Sequence, residues 1–146
     1  MSARLVIFPV MVTSALLTLS PLSLVAQEAP GAQSRALELA GAFTNDGYKI
    51  RDGQWSGDLE VGRPRFLEVN LFAGNEYWFC AAATSPARKL AVTVFDGSGH
   101  PVEAQFHADG ATAAAGFDPE TSGKYIVKLD LLEGEKAPFC FLYTYK

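Results

Sequence analysis

Hydrophobic and polar residues alternate with a period close to two along much of the chain from residue 66 onwards. Because successive side chains of a β-strand point to opposite faces, this alternation predicts strands with one buried and one solvated face, as in antiparallel sheets. Turn residues such as Asp96-Gly97-Ser98-Gly99 separate the apolar segments at intervals typical of a β-sandwich. Strands are predicted over Phe66–Phe72, Glu76–Ala83, Lys89–Asp96, Pro101–Phe106, Thr112–Phe117, Gly123–Leu132 and Pro138–Tyr145, with an earlier strand around Tyr48 to Trp55.

These patterns predict an all-β fold, an antiparallel sandwich of about seven or eight strands over residues 46–146. Residues 27–45 are predicted to form a linker and a short helix over Ser34–Phe43, with Ser34 as the N-cap. Three strands share a matched parity, which places their inward side chains in a single core. The residues expected to share that core are Leu90, Val92, Val94, Tyr125, Val127, Leu129, Phe139 and Phe141.

Residues 1–26 have the layout of a secretory signal peptide. Arg4 is the only charged residue before Glu28, and the intervening stretch is mostly apolar and ends in a small residue, Ala26. We therefore expect cleavage after Ala26 and export to the periplasm or the extracellular space, with no integral membrane span in the mature chain. The alternative is an uncleaved N-terminal anchor, because about 20 apolar residues span a bilayer. Pro9 and Pro21 disfavour that alternative.

Composition and charge narrow the class of protein. The chain has 146 residues, 49% of them hydrophobic, which suits one folded domain rather than a disordered segment. Its 12 Lys and Arg against 16 Asp and Glu give a formal net charge of −4. Since phosphate-binding surfaces need clustered basic residues, we expect no nucleic acid partner. An extracellular polysaccharide or protein is the class of partner left open, and no cofactor is expected.

Several short motifs follow one another in a characteristic order. They are Phe72-Ala73-Gly74 with Tyr77, Leu90–Asp96 with Gly99, Phe117-Asp118-Pro119 and Thr121–Val127, with Trp55–Leu59 as an upstream edge. In this order they resemble the bacterial pre-peptidase C-terminal domain family. The resemblance implies a non-catalytic, jelly-roll-like β-sandwich of secreted proteins, in which some members bind extracellular polymers or calcium. Where that family often carries an acidic Asp-x-Asp, this chain has Lys89-Leu90-Ala91-Val92, which disfavours calcium there.

The two cysteines, Cys80 and Cys140, lie on predicted strands with parity opposite to that of the neighbouring Phe. Both are therefore expected to point away from an aromatic core. In an oxidising compartment, two neighbouring strands would bring the sulfurs together, so we expect a Cys80–Cys140 disulfide. Two alternatives stay open, a pair of free thiols and a zinc site that adds His100 and His107. No close-spaced ligand pair is present, so we expect no metal site.

The sequence contains no Gly-x-Ser-x-Gly and no His-Glu-x-x-His motif. His107 near Asp109, and His100 near Ser98, have the residue types of a base, its orienting group and a nucleophile, but they lie on predicted turns. We therefore expect no catalytic residue and a non-enzymatic module with a binding or structural role. A small secreted hydrolase is the competing class.

Aromatic residues indicate a further functional class, a carbohydrate-binding module. Trp78 lies on the face opposite the predicted core, Trp55 lies near an edge, and Tyr143 and Tyr145 end the last strand. Exposed rings stack on sugar faces and fill partner pockets, so these four residues are the candidate ligand-binding aromatics. The competing interpretation of Trp78 is burial under the N-terminal helix or the 46–58 segment.

Overall fold

A computed structural model describes residues 31–146 of the chain, so the predicted signal peptide over residues 1–26 lies outside the described residues. Within them, one helix and nine strands form an all-β fold of two antiparallel sheets, which confirms the predicted sandwich. None of the helices in this part of the chain is long and apolar enough to cross a membrane. The elements are α1 (Ala32–Thr44), β1 (Lys49–Ile50), β2 (Trp55–Leu59), β3 (Arg65–Leu71), β4 (Tyr77–Ala83), β5 (Ala87–Phe95), β6 (Gln105–Asp109), β7 (Thr112–Phe117), β8 (Gly123–Gly134) and β9 (Ala137–Tyr145).

The larger sheet has the strand order β1-β9-β4-β7-β6, and β2 also pairs with β9. The smaller sheet has the order β3-β8-β5. Strands β4 and β7 are antiparallel neighbours, as are β5 and β8. As a result, the start of β4, the end of β7, the end of β5 and the start of β8 meet at one end of the sandwich.

The facing side chains of the two sheets form the predicted core. All eight residues expected to share it are buried in one cluster, so that prediction is confirmed. Phe79 and Phe141 from the larger sheet are fully buried, as are Val94, Val127 and Leu129 from the smaller one. Fully burying one such side chain contributes about 1.5–3 kcal/mol, and this core is therefore the main source of stability.

Helix α1 packs on the outer face of the larger sheet. Ala32, Ala36 and Ala40 recur every four residues, so they lie on one helix face, and their small side chains let the helix approach the sheet closely. The prediction that Ser34 caps the helix is wrong: the helix begins one turn earlier, after Gly31, without a side-chain cap. Burial of Ala32 against the sheet extends the helix backwards past Ser34. The sheet side of this second cluster consists of Cys80, Ala82, Ala114, Cys140 and Leu142.

The single strand predicted around Tyr48 to Trp55 is two strands, β1 and β2. Both pair with β9, one after the other: Ile50 lies opposite Thr144, and Trp55 lies opposite Phe141. The residues between them leave the sheet, with Gly53 at a φ of 96° that favours glycine.

The strand predicted over Pro101–Phe106 is also different in the structure. Pro101 forms only an isolated bridge to Phe95, and β6 begins at Gln105. The sequence pattern predicts a turn over His107–Gly110 between these strands, whereas the hairpin between β6 and β7 turns at Gly110-Ala111. Gly110 has a φ of 58°, and a glycine at the first position of a two-residue hairpin loop supplies that conformation without strain.

Candidate functional site

An open cleft of about 860 Å³ lies at the end of the sandwich where β4 and β8 begin and β5 and β7 end. Loops that follow β5 and β7 complete its walls. A cleft of this size can hold a small molecule or a segment of a partner chain. We call it the acidic cleft, after the five carboxylates that line it: Glu76, Asp96, Glu103, Asp118 and Glu120.

No Lys, Arg or His side chain of the described residues lines the acidic cleft. Glu76 and Asp96 have basic neighbours outside the lining, Lys146 and His100. The other three carboxylates are exposed and form no ion pair with any group in residues 31–146. Carboxylates gathered in a concave surface focus a negative potential there, which attracts positively charged groups.

Asp96 organises the loop after β5. Its Oδ1 accepts hydrogen bonds from the backbone N–H groups of Ser98, at 2.9 Å, and His100, at 3.0 Å. These bonds hold the pKa of Asp96 below its ordinary value, and the bond from His100 contributes most. The predicted turn is therefore present here, and its anchoring carboxylate is ionised at neutral pH.

A cluster of Tyr48, Glu76 and Lys146 holds another wall of the acidic cleft. The Tyr48 hydroxyl donates to Oε2 of Glu76 at 2.8 Å, and Nζ of Lys146 lies 3.0 Å from the same oxygen. The ammonium also lies 4.6 Å from the centroid of the Tyr48 ring. Hydrogen bonds from Lys146 and Tyr48 lower the pKa of Glu76. The pKa of Tyr48 is raised, chiefly by burial and secondly by its hydrogen bond to Glu76. Glu76 is thus ionised but already paired.

Aromatic side chains form the apolar part of the lining. The Trp78 indole stacks on Phe43 of α1, with ring centroids 4.4 Å apart and planes at 14°. Phe117 packs on Tyr125 with centroids 5.4 Å apart, and the Tyr125 hydroxyl donates to the backbone carbonyl of Thr121 at 2.7 Å. These contacts fix the rings before any ligand binds.

Of the four aromatic residues predicted to bind a ligand, the fold brings Trp55 and Tyr143 together, with ring centroids 6.1 Å apart, and places Trp78 in a different cluster. Trp78 lines the acidic cleft, but α1 covers its indole, as the competing interpretation expected. Tyr143 and Tyr145 line a second pocket of about 270 Å³ beside Phe72. In that pocket Tyr145 is 36% exposed, whereas Tyr143 is buried. Trp55 lies half-buried against the core and lines neither of these two cavities.

The predicted Cys80–Cys140 disulfide is wrong, since both cysteines are free and buried. The parity argument was correct: both side chains point away from the aromatic core, towards α1, from the neighbouring strands β4 and β9. The register is what separates them, because Cys80 lies opposite Leu142 and Cys140 opposite Ala82. Such diagonal neighbours have Cβ atoms roughly 7 Å apart, whereas a disulfide needs roughly 4 Å.

The histidines lie far from the cysteines in the fold. His100 is exposed on the loop after β5, and His107 is exposed on β6, whereas both thiols lie beneath α1. No group of three or more His, Cys, Asp or Glu residues within 31–146 is arranged to hold a metal ion. The His100 imidazole Nδ1 lies 3.8 Å from Oδ1 of Asp96. The same carboxylate oxygen accepts a hydrogen bond from the His100 backbone N–H, so Asp96 holds the exposed loop in place.

Sequence reasoning missed the carboxylates of the acidic cleft. A signal was present: the segment from Leu90 to Gly123 has no Lys or Arg but contains five acidic residues, of which all but Asp109 line the cleft. Only the fold adds Glu76, because it lies in a different segment at the start of β4. A comparison with known protein families and with curated proteins finds no match to the chain.

Proposed function

We propose that this chain is an exported, non-enzymatic binding module and that the acidic cleft takes a cationic organic ligand. One observation carries the proposal: a cleft of about 860 Å³ lined by five carboxylates and, among the described residues, by no basic side chain. Glu76 is already paired with Lys146, but folding brings Glu103, Asp118 and Glu120 to this end of the sandwich without an ion-pair partner among the described residues. Like charges gathered there repel one another, and a bound cation would relieve that repulsion.

The arrangement favours an amine or a guanidine over a metal ion. Calcium needs roughly six to eight oxygen ligands at close range, and the described carboxylates are not clustered in that way. An organic cation can instead contact Glu103, Asp118 and Glu120 in turn while its apolar stem packs on Phe117. Each exposed ion pair contributes only about 0–1 kcal/mol, so binding depends on several carboxylates acting together.

Two observations support a binding role rather than catalysis. His100 and His107 are both exposed, and neither lines the acidic cleft. Ser98 lies on the exposed Asp96 turn and does not line the acidic cleft either. The resemblance to the pre-peptidase C-terminal family, which occurs on secreted proteins and often as a non-catalytic appendage, supports this proposal.

Export rests on the signal-peptide pattern of residues 1–26. N-terminal sequencing of the protein recovered from the periplasm or the medium should begin near Gln27. Recovery of a membrane-bound form that retains Met1 would indicate an anchor instead.

A second candidate function, carbohydrate binding, is favoured by the smaller pocket. Tyr143, Tyr145 and Phe72 gather around about 270 Å³, and Arg51 and Asn70 add hydrogen-bond donors. This function predicts that Tyr145→Ala abolishes retention on a polysaccharide column, while Phe66→Ala, which removes an exposed ring outside the pocket, leaves retention unchanged. Equal retention of the two variants would exclude this pocket as the sugar site.

The test of the cationic ligand is a titration followed by NMR. Nα-acetyl-lysine methylamide is added to the ¹⁵N-labelled protein, and the same compound acetylated on its side-chain amine serves as the neutral control. The charged probe should cause saturable shifts at the backbone amides of Glu103, Asp118 and Glu120, and the neutral probe should cause none. Equal shifts with both probes, or shifts confined to other surfaces, would overturn the proposal.

A further inference from the structure

Strand β6 is an unprotected edge of the larger sheet. It pairs with β7, and no other strand of residues 31–146 lies along its outer side. All five of its residues are exposed. Free edges in soluble proteins are commonly protected by Lys, by Pro or by a bulge, and β6 contains none of these. The opposite edge of the same sheet consists of two strands that follow each other along β9, β1 with two residues and β2 with five.

The register shows which backbone groups are available. Asp109 and Thr112 flank a two-residue loop and therefore form a hydrogen-bonded pair. Hydrogen-bonded and non-hydrogen-bonded pairs alternate along an antiparallel ladder, so Ala108 and Phe106 direct their N–H and C=O groups away from β7. These outward groups are the donors and acceptors that an added strand would use.

The side chains of the same two residues would be covered by such a strand. Phe106 lies opposite Ala115, and Ala108 lies opposite Ala113, on the face of β7 that borders the core. Phe106 is nevertheless 64% exposed. An apolar side chain on a neighbouring strand would pack against its ring and extend the core.

Charge indicates the chemistry of the occupant. Gln105 lines the acidic cleft together with Glu103, so a strand lying along β6 would have one end at the cleft. Asp109 adds a carboxylate at the other end of β6, where the backbone of Arg88 lies close to Gly110. The charge complementarity therefore comes from the cleft end of the edge, and it favours an extended segment that carries a Lys or Arg at that end.

A second copy of this chain fits the edge less well. Antiparallel pairing of two β6 strands about His107 would place Gln105 of each chain opposite Asp109 of the other, without a basic partner. It would also bring together two chains that each carry a formal net charge of −4.

We propose that β6 binds an extended basic polypeptide segment of a partner protein by adding it to the sheet as a further strand, with a Lys or Arg of that segment entering the acidic cleft. This inference rests on the proposed function, because it identifies the source of the cation in the cleft. Main-chain hydrogen bonds to Ala108 and Phe106 supply affinity, and alternate side chains supply specificity.

The probe is an end-blocked Lys-Val-Lys-Val-Lys peptide, titrated by calorimetry into the exported protein. Ala108→Pro removes one outward N–H and should leave the β6–β7 ladder intact, and Ala108→Val is the matched control that keeps that N–H. We expect Ala108→Pro to weaken peptide binding about fivefold or more and Ala108→Val to leave it unchanged. Because Ala108→Pro can also disturb the hairpin, a second test uses the unaltered protein. A peptide N-methylated at alternate residues along one edge cannot donate main-chain hydrogen bonds from that edge. It should bind wild type as weakly as the unmodified peptide binds Ala108→Pro.

Nα-acetyl-lysine methylamide, which cannot pair with an edge, separates the two proposals. If it binds wild type and Ala108→Pro alike while the peptide discriminates between them, both proposals hold. If the peptide binds wild type and Ala108→Pro with equal affinity, and the N-methylated peptide binds wild type equally well, strand addition is overturned. The proposal of a cationic ligand in the acidic cleft would then still stand. If neither probe is sensitive to Glu103→Gln with Asp118→Asn, the cleft itself is refuted. A homodimer blocked by Ala108→Pro, without peptide binding, would identify a second copy as the occupant and overturn this inference.

Discussion

The indole of Trp78 lies so close to Gly116 that no side chain fits between them. The two residues are directly opposite each other in the β4–β7 ladder, and a Cβ on Gly116 would be 2.8 Å from Cζ2 of the ring. Gly116 has an ordinary backbone φ, so it is the indole that requires glycine at this position. Since both residues line the acidic cleft, their contact sets the shape of one wall.

Gly116→Ala should therefore destabilise the protein by about 1–3 kcal/mol, the usual cost of overpacking a filled site. It should also change the tryptophan fluorescence, because the Trp78 ring must shift to make room for the added methyl group. Chemical denaturation measures the free energy of unfolding. Gly41→Ala is the matched control: it lies within α1 with open space around its Cβ, and it should stabilise by about 0.5–1 kcal/mol. If the two variants change stability in the same direction, the packing described for Trp78 is incorrect.

A charge placed in the core should be far more damaging than one on the outer face of the same sheet. Val127 is fully buried between its neighbours Leu67 and Val94. Val127→Asp should cost several kcal/mol because it buries an unpaired carboxylate. Thr93→Asp, which lies opposite Lys128, should change stability by less than about 0.5 kcal/mol. Thermal melting distinguishes them, and similar melting temperatures would contradict the assignment of faces.

Both cysteines should be recovered as free thiols. Thiol titration of the denatured, unreduced protein should find two per chain, and the folded protein should react slowly. Burial raises the pKa of Cys80 to about 12 and also raises the pKa of Cys140, so little reactive thiolate is present at neutral pH. Recovery of an intramolecular disulfide would show that β4 and β9 pair in a different register.

Stability should fall in acid partly through Glu76. Lys146 and Tyr48 hold the pKa of Glu76 below its ordinary value of 4.5 in the folded protein. The folded state therefore binds this proton less readily, and the stabilisation, present above pH 4.5, is lost as the pH falls through the folded pKa. In Glu76→Gln, the decline in unfolding free energy below that pH should be shallower than in wild type. Glu135→Gln, an exposed control without an ion pair among the described residues, should decline as wild type does.

Local alternation was enough to predict the sandwich, its core and the side of the strands on which Cys80 and Cys140 lie. Alternation was not enough to predict the distance between the Cys80 and Cys140 side chains. That distance depends on the register of β4 against β9, which is set by contacts between segments distant in sequence. The acidic cleft was hidden for a related reason: Glu76 and Glu103 come together only when both sheets are in place. Aromatic content alone did not show which rings are accessible, since α1 covers Trp78 and the sandwich buries Tyr143.

The most direct test of the cationic cleft compares two triple variants that remove the same amount of charge. Glu103→Gln, Asp118→Asn and Glu120→Gln neutralise the unpaired carboxylates of the acidic cleft, and Glu38→Gln, Glu60→Gln and Glu135→Gln neutralise three exposed carboxylates outside it. The measurement is the Kd of Nα-acetyl-lysine methylamide from the NMR titration. We predict that the cleft variant binds about tenfold more weakly and that the control variant binds within about twofold of wild type. An equal loss in both variants would show that the protein attracts cations only through its net charge and would contradict the assignment of the acidic cleft as the binding site.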